Sequence, residues 1–119
     1  MINKQSLNII ACMCHEANKA ICESVGDMSQ VHWNEAPDWQ RGSSIAGVEE
    51  VLNDHSITPE ILHKRWMTKK INDGWVYGSE KSEEQKTHPS LVDYEDLSDV
   101  DKLKDAVFLS ICNSMRYAR

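Results

Sequence analysis

Apolar side chains recur at steps of three and four residues along most of this chain, which is the pattern of amphipathic helices. The first such stretch covers residues 5–25 and stops at Gly26-Asp27, a pair typical of a helix end. Its apolar stripe consists of Ile10, Cys14, Ala17, Ile21 and Val25. We therefore expect this helix to bury one side and to expose the other.

Two later stretches repeat the pattern. Pro37 suits a first helical turn and predicts a second helix that ends near residue 53. Its stripe consists of Arg41, Ile45, Val48 and Leu52. Trp39, near its start, is expected to plug the core. Ser98-Asp99 opens a last helix, and the residues expected on its apolar face are Leu103, Val107, Ile111 and Met115.

The third helix has the strongest start signal, because Thr58 supplies a cap and Pro59 a first helical position. It should end at Gly74. Residues 75–97 look irregular, with a short strand at 75–77 and a polar loop, SEKSEEQKTHPS, after it. The fold class is therefore predicted as all-α, mostly helical with a few short strands at most.

Size and charge narrow the function. The chain has 119 residues, which favours one domain over residues 1–119. Its net charge is −6, whereas proteins that bind nucleic acid polymers are usually basic, so no such partner is expected. A small anion could still bind at a local cluster of lysines. Neither a membrane span nor a signal peptide is expected, because no stretch approaches ~18 apolar residues and residues 1–4 lead straight into a helix.

The cysteines suggest a reducing compartment. Cys12, Cys14 and Cys22 crowd one predicted helix and Cys112 lies far away in sequence, which does not suit a disulfide framework. Free thiols in the cytoplasm are the expectation. The alternative is a metal site built from Cys12, Cys14, His15 and Cys22, but zinc sites prefer Cys-x-x-Cys spacing at turns. We expect no metal and no cofactor.

An internal echo links the two halves of the chain. His15 is followed eleven residues later by Gly26, and His63 is followed eleven residues later by Gly74. A further amphipathic helix comes after each glycine. A duplication would give two pseudo-symmetric helical hairpins with a groove between them, whereas ordinary helix-stop chemistry would explain the spacing without one.

A longer motif string marks the second half. Its residues are His63, Trp66 and Lys70, then Gly74-Trp75-Val76-Tyr77-Gly78, then Lys86-Thr87-His88-Pro89-Ser90-Leu91-Val92-x-Tyr94 and Leu97. This string resembles the RyR domain, the repeat module named after the ryanodine receptor channels, over about residues 58–117. Two positions depart from the family pattern. Lys64 stands where an acidic residue is usual, and Asp93 stands where proline is usual.

The resemblance implies a compact helical module in which residues 57–119 form the RyR repeat and residues 1–56 a diverged half-repeat. The first half is similar to the region ahead of this module in small stand-alone proteins of bacteria and phages. The resemblance also implies that adenine nucleotides or ADP-ribose-like molecules are the ligands, and that they bind in the groove between paired repeats. No channel, membrane or calcium role follows, since the rest of the receptor is missing here.

Trp66 and Lys70 lie one helical turn apart, so an indole that stacks a purine would adjoin an ammonium that meets a phosphate. The other half offers Asn18, in the place of Trp66, and Arg41. The full candidate set for ligand binding is Trp66, Lys70, Lys81, Asn18, Arg41, His88, Lys86 and Tyr77.

Each candidate also has a structural interpretation. Trp66 could be a core tryptophan, Trp75 and Tyr77 could anchor the scaffold, and His15 and His63 are expected to be satisfied structural histidines. No motif for a nucleophile and its base is found, so no enzyme is expected. Two functions remain open: a module that binds a nucleotide-like molecule, as a sensor or a sequestering protein, and a protein–protein interaction or self-association module, such as a homo-oligomer, with no small ligand.

Overall fold

The computed structural model describes residues 2–117. Four α-helices lie in this part of the chain: α1 Lys4–Ser24, α2 Asp38–Asn53, α3 Pro59–Asn72 and α4 Asp99–Tyr117. Short 3-10 helices at Trp33–Glu35 and Tyr94–Asp96 precede α2 and α4. Two short strands, β1 Val76–Tyr77 and β2 Thr87–His88, pair in parallel. The mostly helical class predicted from the sequence is confirmed.

The residues predicted to start α3 cap this helix in the structure. The Thr58 hydroxyl accepts a hydrogen bond from the Ile61 amide at 3.3 Å, and Pro59 occupies the first position of α3. At the start of α1, the Asn3 side chain accepts from the Ser6 amide at 2.8 Å. These caps satisfy amides that have no partner within the helix.

Three local predictions are wrong. Trp39 is 50% exposed instead of plugging the core, and Leu103 and Val25 are 49% and 58% exposed. The buried side chains of α2 are Val48 and Val51, so this helix buries a narrower strip than its apolar stripe suggests. The polar loop also contains β2, whose two residues are too few to show a hydrophobic alternation.

The chain forms two compact units, one reaching to Ser56 and including the chain from Ala106, the other spanning Ile57–Asp105. In the first unit, α1 packs on α2. Arg116 of α4 donates to the carbonyls of Leu52, at 3.2 Å, and Val51. This guanidinium satisfies the last turn of α2. The buried apolar side chains of the unit are Leu7, Ile10, Ala11, Cys14, Cys22, Ala36, Val48, Val51, Leu109 and Cys112.

The second unit contains α3, the two strands and the start of α4. α3 contacts the 3-10 helix at Tyr94–Asp96. The buried side chains of the unit are Ile57, His63, Trp75, Leu91 and Leu97. Within the described range of 2–117, no helix is both long and apolar enough to cross a membrane.

One backbone arrangement occurs in both units. Nε2 of His15 donates to the Val31 carbonyl at 2.6 Å, and Nε2 of His63 donates to the Val92 carbonyl at 2.7 Å. An aromatic residue follows two positions after each valine and opens a 3-10 helix. Both histidines are buried and hydrogen-bonded, so the structural interpretation of them is confirmed.

The two helix ends match as well. Gly26 and Gly74 have φ of +90° and +93°, a conformation that glycine adopts without a steric cost. The next residue in each case folds back on the helix: the Asp27 amide donates to the Cys22 carbonyl and the Trp75 amide to the Lys70 carbonyl, both at 2.9 Å. These pairings are the structural counterpart of the His-to-Gly spacing. The division into a 1–56 half-repeat and a 57–119 repeat stays a prediction.

Candidate ligand-binding site

Five rings of the second unit form a continuous aromatic series. The centroid distances are 6.3 Å from Tyr94 to His63, 5.6 Å from His63 to Trp66, 5.0 Å from Trp66 to His88 and 6.3 Å from His88 to Trp75. His63 stacks on Trp66, whereas His88 meets Trp66 edge to face. Each contact lies in the range in which aromatic pairs attract. The series therefore joins α3, β2 and the chain before α4 into one cluster, in which His63 and Trp75 are buried.

A lysine lies over the ring at each end of the series. Nζ of Lys70 is 4.4 Å from the centroid of Trp75, and Nζ of Lys102 is 5.4 Å from the centroid of Tyr94. The negative face of an aromatic ring attracts an ammonium at these distances. The ammonium groups of these two lysines thus lie close to the aromatic series.

His88 is held neutral. Its Nδ1 accepts a hydrogen bond from the Ser90 amide at 3.0 Å, and the Ser90 hydroxyl donates to Asp101 at 2.8 Å. Burial lowers the pKa of His88 to about 4, and the charges of Lys81 and Lys70 add to this shift. The imidazole therefore carries its proton on Nε2 at neutral pH.

The pKa of Lys70 is shifted in the same direction as that of His88. Burial lowers the pKa of Lys70, and repulsion from Lys81 lowers it further, while Asp73 and Glu83 act against this. Lys70 is thus a half-buried cation that interacts with one further cation, Lys81, and with two carboxylates, Asp73 and Glu83. An anion bound close to Lys70 would favour its charged form.

The pKa of Asp105, in the same unit, is shifted in the opposite direction. Burial raises the pKa of its carboxyl group to about 6, and nearby Asp101 raises it further, whereas His63 lowers it. Of the carboxyl groups of Glu16 and Asp105, whose pKa values clearly shift, that of Asp105 ionises less readily. It does little to offset the lysines below pH ~6.

The loop between the strands encloses a shallow, open hollow of about 390 Å³. Its lining is polar and consists of Gly78, Ser79, Glu80, Lys81, Ser82, Gln85 and Thr87. A Cβ at Gly78 would lie 2.6 Å from Cβ of Thr87, so this close approach of the strands requires glycine. Lys81 links the hollow to the aromatic series, because its charge acts on both Lys70 and His88.

Two other candidates of this unit have evident roles in the fold. Lys86 has φ of +54°, and its Nζ donates to the Asp73 carbonyl at 2.6 Å, so it satisfies the C-terminal end of α3. Tyr77 lies on β1 and is 60% exposed. The structure thus brings Trp66, Lys70, Lys81 and His88 together, with Lys86 and Tyr77 on the neighbouring strands and loop.

The last two candidates lie in the first unit. Asn18 is half-buried on α1, at the position that matches Trp66. Arg41 donates to the Asp38 carboxylate at 2.5 Å and to the Asn34 carbonyl at 3.5 Å. Both belong to a different unit from the aromatic series.

Sequence reasoning missed three parts of this cluster. Lys102 lies over Tyr94, and Trp75 under Lys70, because of how the chain turns between them, and the raised pKa of Asp105 depends on packing against distant segments such as the one that holds His63. The aromatic residues of the motif string were the one signal that could have suggested a ring series. As for a metal, residues 2–117 contain no group of three His, Cys, Asp or Glu side chains that could hold one. His15 is instead bonded to Val31, and Cys14 lies against Cys112.

A small, mostly helical module with an aromatic and cationic cluster on one unit is the class of protein that the fold and this geometry define. The family model of the RyR domain matches residues 48–113, more than half of the chain. The chain therefore belongs to the RyR domain family. The match confirms the motif-based resemblance and begins ten residues before the expected start at residue 58, within α2.

Proposed function

We propose that this RyR module binds a nucleotide-like anion, an adenine nucleotide or an ADP-ribose-type molecule, through the cluster on its second unit. The observation that carries the proposal is the position of Lys70, whose ammonium lies 4.4 Å from the centroid of Trp75 and one helical turn from the half-buried indole of Trp66. A ligand with a flat ring and a negative charge would complement both features.

The ring of the ligand would meet Trp66. His63 covers one side of this indole, so the ligand contacts the part that remains exposed. Stacking of a base on an aromatic side chain contributes about 1–3 kcal/mol in nucleic-acid binders. His88, with Nε2–H available, adds a neutral donor at the edge of the same ring.

The phosphate would lie near Lys70 and Lys81. Lys81 is exposed on the wall of the open hollow, where its ammonium can reach a ligand without breaking the fold. Serine hydroxyls of Ser79 and Ser82 line the same hollow and offer donors to phosphate oxygens. Asn18 and Arg41 stay predictions from the internal echo between the two halves, because they lie in the first unit.

The proposal includes binding without turnover, in the cytoplasm of a bacterium or of a phage-infected cell. The cluster supplies a stacking surface and cations, and neither of its acids with a raised pKa, Tyr94 and Asp105, has a nucleophile assigned to it. A module of this kind would sense or sequester its ligand.

Thermal shift and calorimetry with ATP, ADP, ADP-ribose and cyclic relatives test the proposal. At a ligand concentration ten times Kd, linkage predicts about 1.4 kcal/mol of stabilisation, which raises Tm by a few degrees. The Lys81→Gln variant should weaken binding about tenfold, because it removes one charge-assisted contact and leaves the core intact.

The matched control is Lys4→Gln, which removes the same charge from an exposed position of the first unit. It should bind as the wild type does. No stabilisation by any of these compounds at millimolar concentration would overturn the proposal. Equal weakening in both lysine variants would reduce it to a non-specific charge effect.

The alternative, an interaction or self-association module, is favoured by one observation. Ile71, Val76 and Tyr77 of the second unit are 56%, 58% and 60% exposed. Light scattering distinguishes the two functions: an Ile71→Ser, Val76→Ser double variant should lower the measured mass if these exposed apolar side chains mediate self-association, and should leave nucleotide binding unchanged if the first proposal holds.

A further inference from the structure

Two of the four cysteines lie against each other in the first unit. Cys14 is on α1 and Cys112 on α4, and they are 4% and 0% exposed. Sγ of Cys14 is 4.0 Å from the Phe108 carbonyl, which is one helical turn before Cys112. The two thiols also shift each other's pKa, which requires them to lie close together. The sulfurs of residues 14 and 112 are therefore adjacent although the residues are far apart in sequence.

The other two cysteines offer Cys14 no comparable partner. Cys22 follows it on the same helix by eight residues, or ~12 Å of rise, which exceeds the ~7 Å between Cα atoms that a disulfide allows. Cys12 is two residues away on the same helix, where side chains do not face each other. The packing of α1 against α4 thus selects one pair.

The pair is electrostatically unequal. Interaction with Cys112 and burial raise the pKa of Cys14, whereas interaction with Cys14 lowers the pKa of Cys112. Arg116, one turn further along α4, also lowers the pKa of Cys112. Cys112 is therefore the sulfur that ionises first and attacks an oxidant.

We infer that Cys14 and Cys112 form a thiol-pair modification site that takes a two-electron oxidant of the hydroperoxide class and closes to an intramolecular disulfide. The Cys112 thiolate attacks the peroxide oxygen, the O–O bond breaks, and a sulfenic acid and one water form. The Cys14 sulfur then attacks the sulfenic sulfur, the S–O bond breaks and the second water leaves. Two thiols are oxidised to one disulfide, and one hydrogen peroxide is reduced to two waters.

Burial sets the rate of this reaction. An oxidant reaches the pair only when α1 and α4 open locally, so the reaction is slower than that of an exposed thiol. Cys12, which is half-buried, should react first with an alkylating reagent, yet it should not join the disulfide. The disulfide then constrains a long loop of the unfolded chain and raises Tm by several degrees.

Peptide mapping after peroxide treatment of the folded chain tests the inference. Trypsin leaves Cys12 and Cys14 together in residues 5–19, and leaves Cys112 in residues 105–116. The Cys12→Ser variant removes this ambiguity, and in it the 5–19 peptide should be linked to the 105–116 peptide. The linkage and the rise in Tm should both disappear on addition of a dithiol reductant.

Two variants serve as controls. Cys22→Ala keeps the pair and should form the same linkage, whereas Cys112→Ala should form none and should show no peroxide-dependent rise in Tm. A linkage of residues 5–19 to residues 105–116 as the main product without denaturant supports the inference. No linkage, a linkage that forms only in urea, or a main product that contains Cys22 would overturn it.

Discussion

The two units share one scaffold and differ in what it displays. In each, a buried histidine donates to a valine carbonyl, a glycine at positive φ ends the helix, and a short 3-10 helix leads into the next one. The first unit needs five residues from Gly26 to Val31, whereas the second needs eighteen from Gly74 to Val92. The thirteen additional residues (18 − 5) contain both strands and the open hollow.

The side chains that the scaffold carries also differ between the two units. Asn18 occupies the position of Trp66. In the first unit His15 contacts Trp33, whereas the second unit has a series of five rings. Glu16 of the first unit accepts from the Trp33 amide at 2.8 Å and from His32 at 3.0 Å. Its counterpart in the second unit is a cation, Lys64. A shared scaffold with unequal surfaces suggests that ligand recognition belongs to the second unit.

The largest expected effect is the loss of the two buried histidines. His63→Ala should lower the free energy of unfolding by about 3 kcal/mol and His15→Ala by about 2 kcal/mol, because each leaves a cavity and a buried carbonyl without its donor. His63 loses more, since it also contacts Trp66 and Tyr94. Urea unfolding measures both values.

His55→Ala is the control for this pair, because His55 is exposed, and its effect should stay within about 0.5 kcal/mol. Equal losses in the two buried variants would show that the aromatic series adds nothing to the scaffold. Losses as small as that of the control would contradict the shared role of the histidines.

A smaller effect separates Trp66 from its counterpart. Trp66→Ala should cost about 2 kcal/mol of unfolding free energy, because it removes the middle ring of the series from a half-buried site. Asn18→Ala should cost less than about 0.5 kcal/mol, since no comparable packing is lost. The same urea titration compares them. A loss of 4 kcal/mol or more at Trp66 would mark a core residue, at about the upper end for aromatic truncations.

The smallest expected effect is a difference in pH dependence within the second unit. The pKa of His88 is lowered from 6.5 to about 4, so its contribution to stability is present above pH 6.5 and is lost as the pH falls toward 4. The pKa of Asp105 is raised from 3.8 to about 6, so its contribution is present below pH 3.8 and is lost as the pH rises through 6. The two slopes oppose each other and partly cancel in the wild type.

Single variants should expose each slope. His88→Asn should make stability fall more steeply as the pH rises from 4 to 6.5, and Asp105→Asn should make it rise more steeply. Each difference from the wild type should be of the order of 1 kcal/mol, after allowing for partial exposure of both groups. Urea midpoints across this range measure it. Parallel pH profiles in all three proteins would mean that neither pKa is shifted by folding.

Much of the local structure was accessible from the sequence. Thr58-Pro59 at the start of α3 and Gly26 and Gly74 at helix ends act through hydrogen bonds that span a few residues, so their pattern is legible in a single chain. The same holds for the neighbouring positions of Trp66 and Lys70 on one helix. The motif string placed the chain in its family for the same reason, since a family pattern is a linear property.

The site was less accessible. Lys86 satisfies the end of α3, whereas Lys81, in the same loop, lines the open hollow. Which lysine takes which role depends on where the loop turns. The sequence also could not show that Trp39 lies outside the core, because an apolar residue at the first turn of a helix is equally compatible with both environments.

From the residues alone came the helices, their caps, the repeated spacing and the family. From the packed chain came the partners: His63 with Val92, Trp66 with His88, and Cys14 with Cys112. The physical reason is the distance along the chain over which each kind of interaction acts. Caps and helical periodicity arise from groups within about four residues of each other, whereas ring contacts, pKa shifts and thiol pairing depend on which distant surfaces meet when apolar area is buried.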